Sequence, residues 1–113
     1  MGHSLGGIVA AEYNAKNADD TDGVILLASY PTEPVPESER MLSIYGTEDC
    51  CLSEEEYDSS RGLWPKVWSE RIIKGGNHSG FGYYGPQKGD GEAEISAHEQ
   101  QSMTIREIRN FLS

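Results

Sequence analysis

Apolar and polar positions form blocks along the chain that predict strands and helices in turn. Three short runs are rich in apolar or branched side chains: residues 24–30 (VILLASY), 41–46 (MLSIYG) and 67–74, with RII at its centre. The first run is continuously apolar, which is typical of a strand covered on both faces in a parallel sheet. We therefore predict three strands at these positions.

Residues 5–18 are predicted to form a helix. Three alanines favour it, and its larger apolar side chains recur at helical spacing: Leu5, Ile8, Val9 and Tyr13. The polar stretch NADDTDG ends this helix, and the proline-rich stretch PTEPVPESE predicts a loop between the first two strands.

Two further helices are marked by their first residues. Ser53 precedes three glutamates, which complement the dipole at a helix N-terminus. Ser96 and Glu99 make a capping box before the last helix, whose predicted apolar stripe is Ile105, Ile108 and Leu112. A glycine-rich loop precedes that helix, so helices and strands alternate along the chain.

Alternating strands and helices indicate an α/β fold with a parallel sheet and right-handed crossovers. We predict about three parallel strands flanked by helices, in a single domain that spans residues 1–113. The sequence has no internal repeat and no linker between domains.

Composition excludes several classes of protein. The formal net charge of −10 argues against nucleic acid or an anionic membrane as a partner. No stretch approaches the roughly 20 apolar residues of a membrane-spanning helix, and no signal peptide is recognised, so we expect a cytoplasmic chain. Cys50 and Cys51 are adjacent, so two reduced loop thiols are expected rather than a disulfide framework.

The first residues, MGHSLGG, place Ser4 in a Gly-x-Ser-x-Gly motif directly before the first predicted helix. In this motif the serine occupies a strained turn, and side chains at Gly2 and Gly6 are expected to collide with neighbouring elements. The helix N-terminus points N–H groups at the serine, so the Leu5 N–H is a candidate oxyanion donor. The alternative is a serine that merely caps a helix in a glycine-rich turn.

A serine nucleophile needs a base, and the base needs an orienting acid. Asp49 follows the end of the second predicted strand, and His78 follows the third, in GGNHSG. Loops at the carboxyl ends of parallel strands are where such sheets bind ligands. The order Ser4, Asp49, His78 is the order expected of an α/β-hydrolase rather than of chymotrypsin or subtilisin.

Other residues compete for these roles. Glu48 neighbours Asp49, but consecutive loop residues usually point apart, and Asp49 is preferred. His3 is expected to pack beneath the serine turn, and His98 to be solvated on the last helix.

Scattered histidines without close Cys/His spacing argue against a zinc site. Asn77 lies in a glycosylation sequon that is discounted because sugar would block His78. Three loop aromatics could line an acyl pocket or act as structural anchors: Phe81, Tyr83 and Tyr84.

These motifs resemble the C-terminal half of a small bacterial α/β-hydrolase of the dienelactone-hydrolase-like, esterase-like group. GHSLGG resembles its nucleophile elbow, DGVILLASYP its next strand, LSIYGTED its acid turn and GGNHSGFGYYGPQKGDGEAEIS its histidine loop. The resemblance implies a partial α/β-hydrolase fold lacking the N-terminal strands, with Ser4 as nucleophile, Asp49 as acid and His78 as base. It implies an ester-like small-molecule substrate and no metal or organic cofactor; a non-catalytic fragment or binding module is the alternative.

The chain departs from the family pattern in two ways. Cys50 stands where the family has glycine after the acid, so the turn around Asp49 is expected to differ. The strands before the elbow and an upstream loop with the second oxyanion donor are not represented, and relatives often carry an N-terminal membrane anchor. We therefore expect residues 24–30 to form an exposed edge strand, and the isolated chain to self-associate and to hydrolyse esters poorly.

Overall fold

The computed structural model describes residues 1–113 as one parallel sheet with helices on both faces. The strands, in the spatial order of their numbers, are β1 (Gly2–His3), β2 (Gly23–Leu27), β3 (Arg40–Gly46) and β4 (Val67–Ile73). The helices are α1 (Leu5–Lys16), α2 (Glu54–Ser59) and α3 (Ala97–Leu112), with 3₁₀ turns at Ala18–Asp20, Ser60–Leu63 and Ser79–Phe81. The predicted α/β fold with parallel strands is confirmed.

A fourth strand, β1, was not predicted. Its two residues pair in parallel with the end of β2, Gly2 opposite Leu26 and His3 opposite Leu27. Two residues are too few to show a periodic pattern, so the sequence offers no strand signal there. The expectation that β2 is an edge strand along its whole length is therefore wrong, because only residues 23–25 lack a partner on that side.

The predicted strand at residues 24–30 is also too long. β2 ends at Leu27, and Ala28 has a positive φ of 51°, which turns the chain out of the strand. Ala28 and Ser29 are buried and Tyr30 is half-buried, because this turn lies against the site described below. Burial therefore accounts for the pattern of residues 24–30, although β2 itself ends at Leu27.

The core lies on both faces of the sheet. On one face Val24, Leu26 and Met41 pack with Ala11 of α1 and with Tyr57, Trp64 and Val35. On the other face Leu27, Leu42, Ile44 and Ile73 pack with side chains of α3. Successive residues of β2 and β3 point to opposite faces, so a strand buried on both sides must be apolar throughout. This agrees with the continuous apolar run.

Helix α1 contacts the sheet through small residues. Its buried positions are Gly7, Ala11 and Asn14, whereas the large apolar side chains at helical spacing are mostly exposed: Leu5 (71%), Val9 (58%) and Tyr13 (56%). Small residues allow the helix to approach the strands closely, and the larger ones therefore point away from this part of the sheet.

The predicted stripe on α3 is wrong at two of its three positions. Ile108 packs against the core, but Ile105 and Leu112 are exposed. The buried face instead includes Gln100 and Thr104, because the Gln100 side chain is hydrogen-bonded to the backbone of Asn77. The predicted N-caps are confirmed, since Ser53 and Ser96 each accept a backbone N–H three residues on. None of the helices combines the length and the hydropathy that a membrane span requires.

Candidate active site

Ser4 occupies a sharp turn between β1 and α1. Its backbone has φ 57° and ψ −126°, a conformation that costs a non-glycine residue about 1–3 kcal/mol. The Ser4 N–H donates to the Leu27 carbonyl at 2.9 Å, and the Ser4 carbonyl accepts the Gly7 N–H at 2.9 Å. The surrounding hydrogen bonds therefore hold the strained turn in place.

The structure corrects which glycines make this turn tight. A Cβ at Gly2 would collide with the Gly6 carbonyl, as expected. A Cβ at Gly6 would meet nothing within 4 Å, so the predicted collision there is wrong. The tight position is Gly7, where a Cβ would lie 2.5 Å from both Cβ and Oγ of Ser29. Gly6 faces away from the strands, whereas the next residue of α1, Gly7, faces Ser29.

Ser4, His78 and Asp49 form one hydrogen-bonded chain. His78 Nε2 lies 2.9 Å from Ser4 Oγ, and His78 Nδ1 lies 2.8 Å from Asp49 Oδ2. The side chains of His78 and Asp49 are only 3% and 1% exposed. A carboxylate can only accept, so Nδ1 carries the proton in the neutral imidazole, and Nε2 can accept from the serine hydroxyl. The three residues predicted from separate motifs therefore meet.

Asp49, rather than Glu48, points toward His78. The second Asp49 oxygen, Oδ1, accepts the N–H groups of Cys51 and Leu52, both at 2.8 Å. The Glu48 carboxylate instead accepts the hydroxyl of Thr47 at 2.7 Å. Cys50 lacks a positive φ, so the turn after Asp49 does not require glycine. Both cysteine thiols are free.

The Leu5 N–H lies at the first position of α1, directly after Ser4. It has no acceptor within the chain, since the first N–H groups of a helix lack intrahelical partners. A free N–H at a helix N-terminus can stabilise negative charge that develops beside it. The geometry thus leaves this donor available next to Ser4.

His3 lies under the turn, as expected. Its Nε2 donates to the His78 carbonyl at 2.8 Å, its Nδ1 is hydrogen-bonded to the Tyr84 hydroxyl, and its ring stacks on Tyr84. Burial and, after it, the neighbouring His78 lower the pKa of His3. His98 is exposed on α3, as the sequence led us to expect.

Asp90 is a site residue that sequence analysis missed. Its carboxylate accepts four backbone N–H groups: those of His78 (3.1 Å), Ser79 (2.9 Å), Gly91 (2.8 Å) and Cys50 (3.4 Å). Burial would raise the pKa of Asp90, but these hydrogen bonds to the charged form outweigh it and lower the pKa. The local signal was only an aspartate between two glycines, which is typical of any turn.

Two open depressions flank Ser4. One, of about 210 Å³, is lined by Ser4 and His78 together with Ile8, Tyr30, Leu52 and Glu56, among others. The other, of about 410 Å³, lies between the elbow and the loop that carries Tyr84 and Pro86. Of the loop aromatics, Phe81 packs against the core and Tyr84 on His3, so these two act as anchors; Tyr83 is 78% exposed.

Internal hydrogen bonds engage the sequon asparagine and a cluster of potential metal ligands near the site. The Asn77 side-chain amide donates to the Gly91 carbonyl at 3.0 Å, so the sequon nitrogen is engaged within the loop. Asp49, Cys51 and Asp90 bring potential metal ligands within 4.8 Å of one another. However, the oxygens of both carboxylates already accept N–H groups, which accounts for this cluster without a cation.

A parallel sheet with a serine at a strained turn between a strand and a helix defines the class of α/β hydrolases. The sequence model of the alpha/beta hydrolase family matches residues 1–102, and the chain belongs to this family. No curated protein matches the chain in sequence.

Among solved structures, the chain is similar to the crystal structure of a predicted CIB-like hydrolase from Thermoplasma acidophilum. The TM-score is 0.65 at 17% sequence identity, and the match covers 97% of this chain. It covers 49% of the other chain, so the present chain spans about half the length of that hydrolase. At this identity the similarity shows the hydrolase fold alone.

Proposed function

We propose that this chain carries the catalytic triad of a serine hydrolase that cleaves an ester or related acyl bond of a small molecule. Ser4 is the nucleophile, His78 the general base and acid, and Asp49 the residue that orients His78. The observation that carries the proposal is the continuous hydrogen-bonded chain Ser4–His78–Asp49, with distances of 2.9 and 2.8 Å. It supports this chemistry because a serine hydroxyl needs a positioned base to react at neutral pH.

In the proposed reaction, Ser4 Oγ attacks the acyl carbon while its proton passes to His78 Nε2. The resulting imidazolium is stabilised by Asp49, and the negative oxygen of the tetrahedral intermediate accepts the Leu5 N–H. His78 then gives the proton to the departing alkoxide as the carbon–oxygen bond breaks, leaving an acyl-serine. A water molecule then attacks the acyl carbon while His78 takes its proton, the bond from that carbon to Ser4 Oγ breaks, and His78 returns the proton to Ser4 Oγ as the carboxylic acid leaves.

The depression of about 210 Å³ beside Ser4 and His78 favours a short acyl or alcohol group in the part of the substrate that this chain contacts. Strained elbow geometry at Ser4 further supports the nucleophile role, because a helix-capping serine has no need of φ 57°. Indeed, the Ser4 side chain makes no capping hydrogen bond to α1.

The test is labelling by a fluorophosphonate, which phosphonylates activated serines. We expect one label per chain on Ser4, located by peptide mass spectrometry, and no label on Ser4→Ala. Ser59→Ala is the matched control, since this exposed hydroxyl has no hydrogen-bond partner, and it should label like the wild type. Equal labelling of Ser4→Ala would overturn the assignment of Ser4 as nucleophile, and no labelling of the wild type would favour a non-catalytic binding module instead.

A further inference from the structure

Asp90 joins two loops that are distant in sequence. Its Oδ2 accepts the Ser79 N–H at 2.9 Å, and its Oδ1 accepts the N–H of His78 at 3.1 Å. The same Oδ1 reaches the Cys50 N–H at 3.4 Å, on the loop that carries Asp49. One carboxylate therefore ties the loop of the proposed base to the loop of the proposed acid.

With these contacts, every polar atom of His78 has a hydrogen-bond partner. Its two ring nitrogens are held by Ser4 and Asp49, and its carbonyl by His3 at 2.8 Å. The remaining polar atom is the backbone nitrogen, and Asp90 is its acceptor. Without Asp90, the only hydrogen bond left to the backbone of His78 itself would be the one at its carbonyl, while Gln100 would still hold the backbone of the preceding Asn77.

The hydrogen bonds to Asp90 are charge-assisted, because the acceptor is a carboxylate, and such bonds are roughly twice as strong as neutral ones at short distance. The N–H groups of Gly91 and Ser79 lie at 2.8 and 2.9 Å, whereas those of His78 and Cys50 lie at 3.1 and 3.4 Å and are held less tightly. Asp90 is half-buried, and its contacts with His78 and Ser79 are partly shielded from water. An asparagine at this position has one acceptor oxygen instead of two, and its NH₂ group would face an N–H donor.

We propose that Asp90 is a positioning residue of the hydrolase reaction, which holds the backbone of His78 so that Nε2 stays within hydrogen-bond reach of Ser4. The inference rests on the proposed function of Ser4 and His78. Asp90 itself does not contact the reacting atoms, and its effect passes through the position of the imidazole. A displacement of about 1 Å at such a group can cost on the order of a hundredfold in rate.

The experiment compares Asp90→Asn with Glu92→Gln in the fluorophosphonate assay. Both changes remove one negative charge from the same loop, but Glu92 is exposed and its side chain has no hydrogen-bond partner. Two quantities are measured: the rate of labelling, and the final number of labels per chain. The first reports how well the base is placed, and the second reports the fraction of chains that fold.

For Asp90→Asn we expect labelling that is about 10- to 100-fold slower but still reaches one label per chain. In ester hydrolysis kcat should fall by a similar factor, with KM within about twofold of the wild type. Glu92→Gln should match the wild type in both assays. If Asp90→Asn labels at the wild-type rate, or only the final labelled fraction falls, Asp90 has no positioning role.

A second variant decides the matter if Asp90→Asn does not fold. Asp90→Glu keeps the charge and moves the carboxylate by about one methylene, so labelling should slow by about tenfold or more at full stoichiometry. A reduction below about threefold overturns the inference. Wild-type chains that fail to label Ser4 contradict the proposed function itself, whereas normal wild-type labelling with unaffected Asp90 variants contradicts only the role of Asp90.

Discussion

Asp49 Oδ2 lies 2.8 Å from His78 Nδ1, while Asp49 Oδ1 accepts two N–H groups of its own turn. The carboxylate therefore acts both as the residue that shapes the turn and as the partner of the imidazole. Because the side chain is almost completely buried, its hydrogen bonds are shielded from water. Shaping the turn and contacting the imidazole are therefore compatible roles for one side chain in this structure.

We expect Asp49→Asn to lower kcat on a short-chain ester by several orders of magnitude. Asparagine presents an NH₂ group to Nδ1 and favours the wrong imidazole tautomer, and the same change in a serine protease costs roughly 10⁴-fold. Glu48→Gln is the matched control, since it removes the same charge from the adjacent residue, whose carboxylate bonds only Thr47, and should change kcat by less than about twofold. The reverse ranking of the two variants would move the acid to Glu48.

Much of the site was predictable because a parallel sheet brings the carboxyl ends of its strands to one edge. Asp49 and His78 each follow a predicted strand, and Ser4 lies in a Gly-x-Ser-x-Gly motif, so these signals and their order along the chain were enough to group the three residues. Asp90 was not predictable, because an acceptor for N–H groups of two distant loops leaves no local pattern. The same holds for the close approach of Gly7 to Ser29, which exists only in the folded chain.

The fold was predictable where burial leaves a pattern of apolar residues in the sequence. It was not predictable where the size of neighbouring residues decides which face of a helix packs. Residues 24–27 are apolar on both faces and lie in β2, as expected. In α1, by contrast, Leu5, Val9 and Tyr13 have helical spacing but are exposed, because Gly7 and Ala11 allow a closer approach to the sheet. Spacing identifies a helix, but residue size decides which face packs.

The elbow predicts opposite effects of alanine at two adjacent glycines. In Gly7→Ala the new Cβ would lie 2.5 Å from the side chain of Ser29, so the free energy of unfolding should fall by about 1–3 kcal/mol. In Gly6→Ala the Cβ meets open space, and reduced freedom of the unfolded chain should stabilise the protein by about 0.4–1 kcal/mol. Urea unfolding of both variants measures this. Equal stability of the two would contradict the close approach of α1 to Ser29.

His3 should make stability depend on pH. Burial and then His78 lower its pKa below the ordinary value of 6.5, so the unfolded chain binds this proton more readily than the folded one. Stability from this group is therefore complete above about pH 6.5 and is lost as pH falls through the folded-state pKa. The difference between the urea midpoints at about pH 7.5 and at about pH 5.5 should be smaller in His3→Gln than in the wild type. An equally large difference between the two midpoints in His3→Gln and in the wild type would contradict this role of His3.

The open side of β2 predicts self-association of the 113-residue chain. β1 pairs only with Leu26 and Leu27, so residues 23–25 have no partner strand on that side. Beside them lies a groove of about 370 Å³ that is lined by apolar side chains of α1, including the exposed Val9 and Tyr13. An uncharged strand edge beside exposed apolar surface is the arrangement that soluble proteins usually protect.

The opposite edge of the sheet provides the control. β4 carries Glu70 and Arg71, and such charges disfavour pairing between edges. Val9 and Val67 are similarly exposed, at 58% and 56%, but Val9 lines the open groove and Val67 lies on β4. In size-exclusion chromatography over a range of concentrations, we expect Val9→Lys to shift the wild-type chain toward monomer and Val67→Lys to leave the distribution unchanged. A wild-type chain that is monomeric at every concentration and fully active on esters would show that this edge needs no partner.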